Sequence, residues 1–155
     1  MHKRSDRPRD FFSPDEEKLI VQAIGAAEKR TSGEVRFHIE RDVPNGPPSN
    51  DDPYVRARQV FTNLGMLRTE ARNGVLVYMA VRARKFAVVG DEALHLKVGD
   101  GFWDDVVAGM GTRFAAGDFP AGVIDAIGLI GEKLREHFPY QADDVNELPD
   151  EISYE

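Results

Sequence analysis

Asn73-Gly74-Val75-Leu76-Val77-Tyr78-Met79-Ala80-Val81, followed after the polar Arg82-Ala83-Arg84-Lys85 by Phe86-Ala87-Val88-Val89-Gly90, is the stretch that decides the fold. A short, continuous apolar run opened by Asn-Gly reads as a strand covered on both faces. The second apolar run lies close behind it, so the two form a hairpin, expected in the centre of the sheet. Upstream, Val35, Phe37 and Ile39 alternate with Glu34, Arg36, His38 and Glu40, the two-residue period of a half-buried strand.

Between these strands lies a Pro-, Asn-, Gly- and Asp-rich surface loop, Asp42 to Pro53, and then a helix whose apolar face is Ala57, Val60, Phe61 and Leu64, ended by Gly65. Strand, helix and strand in that order make a right-handed crossover, which leaves the first two strands parallel. Further upstream, Ser13-Pro14-Asp15-Glu16 is a capping box with proline at the first helical position. The helix it opens runs to about Arg30 and buries Leu19, Ile20, Ala23, Ile24 and Ala27 at helical spacing.

Downstream of Gly90 the strand signal stops. Glu92 to Val98 reads as a short helix, and Trp103, Val106, Val107, Met110 and Phe114 mark a longer one. After Gly117-Asp118, Phe119, Val123, Ile127, Ile130 and Leu134 form the stripe of a final helix ending near His137. Its Gly122, Gly128 and Gly131 are read as places where the helix backbone packs closely on the sheet. Helices must then cover both faces. The expected fold class is α/β: a three-layer α/β/α sandwich on a small mixed sheet, a parallel crossover pair plus an antiparallel hairpin strand. One domain is expected over 11–138, preceded by a flexible basic arm (1–10) and followed by an acidic tail (139–155) that lies over the surface or is disordered.

Composition narrows the function. The 155 residues are 41% apolar and 30% charged, as in a soluble globular domain, and no run is long enough to span a bilayer. The first ten residues carry Lys3, Arg4, Arg7 and Arg9 but no apolar segment, so the expected compartment is the cytoplasm, without membrane insertion. No cysteine is present, which excludes disulfides, thiol nucleophiles and iron–sulfur clusters. A net charge of -7 argues against nucleic-acid binding, which rests on Lys and Arg contacts to phosphates.

The order of motifs resembles the TPM domain family, which includes thylakoid-lumen acid-phosphatase-like proteins and related bacterial domains. The resemblance rests on Thr31-Ser32-Gly33-Glu34-Val35, Asn73-Gly74-Val75-Leu76-Val77, Phe86-Ala87-Val88-Val89-Gly90-Asp91 and Gly117-Asp118-Phe119 followed by Gly122 and Ile127. Asn146-Glu147-Leu148-Pro149-Asp150-Glu151-Ile152 is similar to the tail of one bacterial branch. The resemblance implies an α/β/α sandwich and, for some members, calcium binding or acid phosphatase activity. This chain departs from the common pattern at two points. Arg72 stands where many members have an acidic residue before Asn-Gly, and Gly90-Asp91-Glu92-Ala93-Leu94 replaces Gly-x-Gly-Leu-Glu.

Gly99-Asp100-Gly101 and Gly109-Met110-Gly111 begin like dinucleotide fingerprints, but Asp104 and Phe114 stand at the third glycine and no strand precedes either. His2, His38, His95 and His137 are too dispersed to form a ligand pair by spacing, and His38 is read as a structural or surface histidine. What remains is carboxylate density after the last strand: Asp91, Glu92, Asp100, Asp104, Asp105 and then Asp118. Oxygen ligands of this kind suit calcium or magnesium, and Asp91, Asp104 and Asp118 are the candidate metal ligands, for calcium first. Each also falls near an expected helix start, where a carboxylate caps free N–H groups. The function expected is a non-catalytic binding or accessory module with a protein partner and no cofactor other than calcium. The alternative is a metal-assisted acid phosphatase acting on phosphomonoesters.

Overall fold

Ser13 caps the first long helix in the way its sequence predicts: its hydroxyl accepts from the Glu16 amide at 3.1 Å, and the Glu16 carboxylate accepts from the Ser13 amide at 2.9 Å. The computed structural model describes residues 4–68, 72–139 and 151–155. Of the acidic tail, Asp143, Asp144, Glu147 and Asp150 lie outside the described residues, as do Asn146 to Asp150 of the closing motif.

The helices are α1 (Pro8–Phe11), α2 (Pro14–Glu28), α3 (Pro53–Asn63), α4 (Glu92–Val98), α5 (Asp100–Ala115) and α6 (Phe119–His137), with a 3-10 turn at Met66–Arg68. The strands are β1 (Glu34–Glu40), β2 (Gly74–Ala80), β3 (Lys85–Gly90) and β4 (Ser153–Tyr154), in the order β3-β2-β1-β4. β1 and β2 are parallel over their whole length, Glu34 opposite Gly74 and Glu40 opposite Ala80, and β3 returns antiparallel to β2. The fold class is α/β, as the alternating pattern implies.

Two apolar layers hold the sheet. Val35, Phe37, Ile39, Val75, Val77 and Met79 face α2, α4, α5 and α6, while Leu76, Tyr78, Ala80, Ala87 and Val89 face α3. Burial of these side chains supplies the main favourable term, on the order of 2 kcal/mol for each large residue fully removed from water.

Four features differ from the sequence reading. The hairpin is not central: β3 is an edge, because the fourth strand adds beside β1. β4 comes from the segment read as tail, and Glu155 continues it by donating its amide to the Ile39 carbonyl at 2.9 Å. The glycines of α6 pack on helices instead of the sheet. A Cβ on Gly122 would meet the Phe114 ring at 2.5 Å and one on Gly131 would meet the Ala27 Cβ at 2.8 Å, while Gly128 faces open space. At the N-terminus Arg4 is anchored, bonded to Glu16 at 2.7 and 2.9 Å and lying over the Phe11, Phe12 and Phe119 rings.

Candidate functional site

The strand order places polar side chains at two ends of the sheet. At the start of β2 and the end of β3, the Asp91 amide donates to the Gly74 carbonyl at 2.8 Å, which brings Asp91 beside Asn73. Both residues are buried. Asp91 caps α4, its Oδ1 accepting from the Glu92 amide at 2.7 Å, and Arg72 places its Nε 3.2 and 3.3 Å from the two carboxylate oxygens. Arg72 reaches this position from a left-handed backbone conformation, φ 54°. The Asn73 amide nitrogen makes no hydrogen bond among the described residues.

The other two aspartates lie elsewhere. Asp118 is the exposed N-cap of α6, accepting from the Ala121 amide at 3.4 Å. Asp104 is exposed one turn inside α5, because that helix begins at Asp100 and not at Asp104. Asp100 pairs with His95 at 3.2 Å, and the other His95 ring nitrogen accepts from the Trp103 indole at 3.0 Å. Among the described residues, Asp91, Asp104 and Asp118 do not gather into a set that could share one ion.

A set of that kind forms at the opposite end, around the β1 histidine that the sequence marks as structural or surface, with two glutamates outside the candidate ligands. His38, Glu40 and Glu155 offer ligand atoms within 4.8 Å of one another. The alternation in β1 implies that Arg36, His38 and Glu40 point to solvent, yet all seven residues of the strand are buried. Their cover includes Arg56 of α3 and the short β4. Arg56 donates to the Glu40 carboxylate at 2.8 and 3.2 Å and also contacts Glu155. Burial pulls the Arg56 guanidinium down, but its bond to Glu40 and the charges of Glu40 and Glu155 outweigh that and hold it above its usual value. The set therefore already contains a cation.

His38 stacks on Tyr78 with ring centroids 6.1 Å apart, and its Nδ1 meets the Ser153 hydroxyl at 2.8 Å. Its Nε2 stands 3.6 Å from Glu155 and makes no hydrogen bond among the described residues. Burial lowers the His38 pKa; Glu40 and Glu155 oppose this, while Arg56 and Arg36 add to it, and the net shift is downward. Burial first, and then the Glu40 charge, push the Tyr78 phenol upward, so it stays protonated. The cluster is a partly buried ion network around a histidine that burial holds below its ordinary pKa. The outward-facing polar pattern of β1 carried no signal for this, since the covering strand is two residues long.

The loop at this same end, after β1, is tied down by Lys85, which bonds the Asp51 carboxylate at 2.8 Å and its carbonyl at 3.0 Å. Asp52 closes the loop by capping α3, accepting from the Tyr54 amide at 2.9 Å.

Comparison with known proteins relates the chain to a family model and to solved structures. A family model described as the TPM domain matches residues 6–133. The NMR structure of the BA42 protein from the psychrophilic bacterium Bizionia argentinensis is similar, with a TM-score of 0.86 and 39% sequence identity, over 97% of this chain and 100% of that one. The comparison with curated proteins found no match.

Proposed function

The chain belongs to the TPM domain family, and from that premise we propose that it is a non-catalytic binding or accessory domain serving a protein partner. The observation that carries this reading is the Arg72–Asp91 pair. Calcium takes roughly six to eight oxygen ligands. Where β2 starts and β3 ends, the buried carboxylate already has a guanidinium and a backbone amide on it, and Asp104 and Asp118 are not beside it. These residues do not fit a calcium site. A net charge of -7 supports a protein over a nucleic acid as the partner.

The competing reading, a metal-assisted phosphatase, requires carboxylates free to hold a divalent ion beside the phosphoryl group. One set of experiments separates the two. With the full chain and p-nitrophenyl phosphate between acidic and neutral pH, turnover is expected to stay at background with calcium, magnesium or manganese. Melting temperatures in calcium and in chelator are expected to agree within about a degree. A true site filled at one hundred times its dissociation constant would instead add about 2.7 kcal/mol and raise the midpoint by several degrees. Metal-dependent turnover that Asp91→Asn abolishes would overturn the accessory reading.

A further inference from the structure

Among the described residues, the outer edge of β1 is covered by a very short partner. Only His38 and Ile39 pair with Ser153 and Tyr154, and Glu155 adds one more backbone bond to Ile39. Beneath this strand lies the His38 side chain, 3% exposed. Its Nδ1 meets the Ser153 hydroxyl at 2.8 Å, and its Nε2 has no hydrogen-bond partner among the described residues. A buried ring nitrogen in this state is stabilised by a proton or by water, and Ser153 on Nδ1 and Glu155 3.6 Å from Nε2 make this strand part of the ring's cover.

We propose that β4 is an acid-released latch: when Ser153 and Glu155 move away, water and a proton reach Nε2 of His38, and the protonated ring then keeps the strand from closing. Two register pairs, the Glu155 amide bond to Ile39, the Arg56 contact with Glu155 and Arg9 over the Tyr154 ring hold the latch, against seven register pairs between β1 and β2, so its opening costs less than opening β1 from β2.

The charges around the ring fix the sign. Facing His38 are Arg36 and Glu40 on β1, Tyr78 on β2, Arg56 on α3 and Glu155 after β4. With the latch closed, burial dominates and holds His38 below its ordinary value of 6.5. Opening rehydrates the ring, which relieves the largest cause of the depression, and leaves Glu40 two residues away on the same strand face, so the open form takes its proton more readily than the closed one. A depressed closed-state value means that closure is favoured above the open-state pKa and is lost as pH falls toward the closed-state one. The ratio of open to closed rises by up to about tenfold per pH unit in that window.

The test is amide exchange by NMR on the full chain, from neutral pH down to about pH 5, read as protection factors. The Glu155 amide is expected to lose protection by up to about tenfold per pH unit, while the Val77 amide in β2 holds its own. His38→Gln, which keeps a polar side chain but takes no proton, is expected to flatten the dependence. Ser153→Ala keeps His38 and removes its Nδ1 partner, so it should lower protection at every pH while preserving the slope. Protection of Glu155 that ignores pH in the parent overturns the latch. So does an equal slope in His38→Gln, or a slope lost in Ser153→Ala. Direct titration of the His38 ring above 6.5 with the strand still protected would also overturn it, since that marks a stabilising ion pair with Glu155.

Discussion

At one end of the sheet Arg72 reaches Asp91 from solvent with its side chain 47% exposed; at the other, Arg56 reaches Glu40 with 12% of its side chain exposed. Both pairs put a guanidinium on a buried carboxylate, 1% exposed for Asp91 and 7% for Glu40. The difference lies in what else holds the acid. Asp91 caps α4 through the Glu92 amide, so the backbone already shares its charge. Glu40 projects from the middle layer onto the α3 face, and Arg56 is the group that neutralises it. A desolvated ion pair is weak evidence for stability as a pair, yet breaking it on one side leaves a charge with neither water nor partner.

The largest effect is therefore expected at Arg56. Arg56→Met keeps the length of the side chain and removes the charge, and should destabilise the domain by about 3 kcal/mol or more, measured by urea unfolding. The double variant Arg56→Met with Glu40→Leu should recover most of that loss, because neither partner is then left charged and buried. A double variant as unstable as the single one would mean that Arg56 acts through packing on α3 and not through Glu40.

The middle effect belongs to Asp91. Asp91→Ala removes the cap of α4 and frees an exposed arginine that water can solvate, and should cost about 1 kcal/mol whether calcium or chelator is present. A cost that appears in calcium alone would reverse the contrast between the two ends and place a metal at Asp91.

Particular residues show why one end was legible in sequence and the other was not. The Asp91 end was read from local signals: Asn73-Gly74 opens a strand, Gly90 closes one, and an acid just before a helical run is a cap whatever lies around it. Likewise the capping box at Ser13 and the glycine after Leu64, φ 76°, marked helix boundaries by chemistry confined to a few residues. Gly90 has a tertiary reason that no window shows, since a Cβ there would meet the Trp103 ring at 2.4 Å. The Glu40 end depends on contacts of high sequence separation. His38 meets Ser153 and Arg56 meets Glu155, and each of these was unremarkable in its own neighbourhood. The period of β1 reported correctly which residues share a face, but not whether that face is covered.

The smallest effect should come from Arg72, and it tests whether that guanidinium is structural or merely a cation in place. Its side chain is half in solvent, so the pair with Asp91 is screened, and the amide of Glu92 remains on the carboxylate when the arginine is gone. Arg72→Ala should lower stability by less than Asp91→Ala does, with the difference from the parent shrinking as salt is raised toward 1 M. The backbone adds a second handle. At φ 54° any residue with a Cβ is strained, whereas glycine is not, so Arg72→Gly should be more stable than Arg72→Ala although both lose the same pair. If Arg72→Ala instead costs as much as Arg56→Met, the Asp91 carboxylate depends on the guanidinium as fully as Glu40 does, and the two ends of the sheet are equivalent after all.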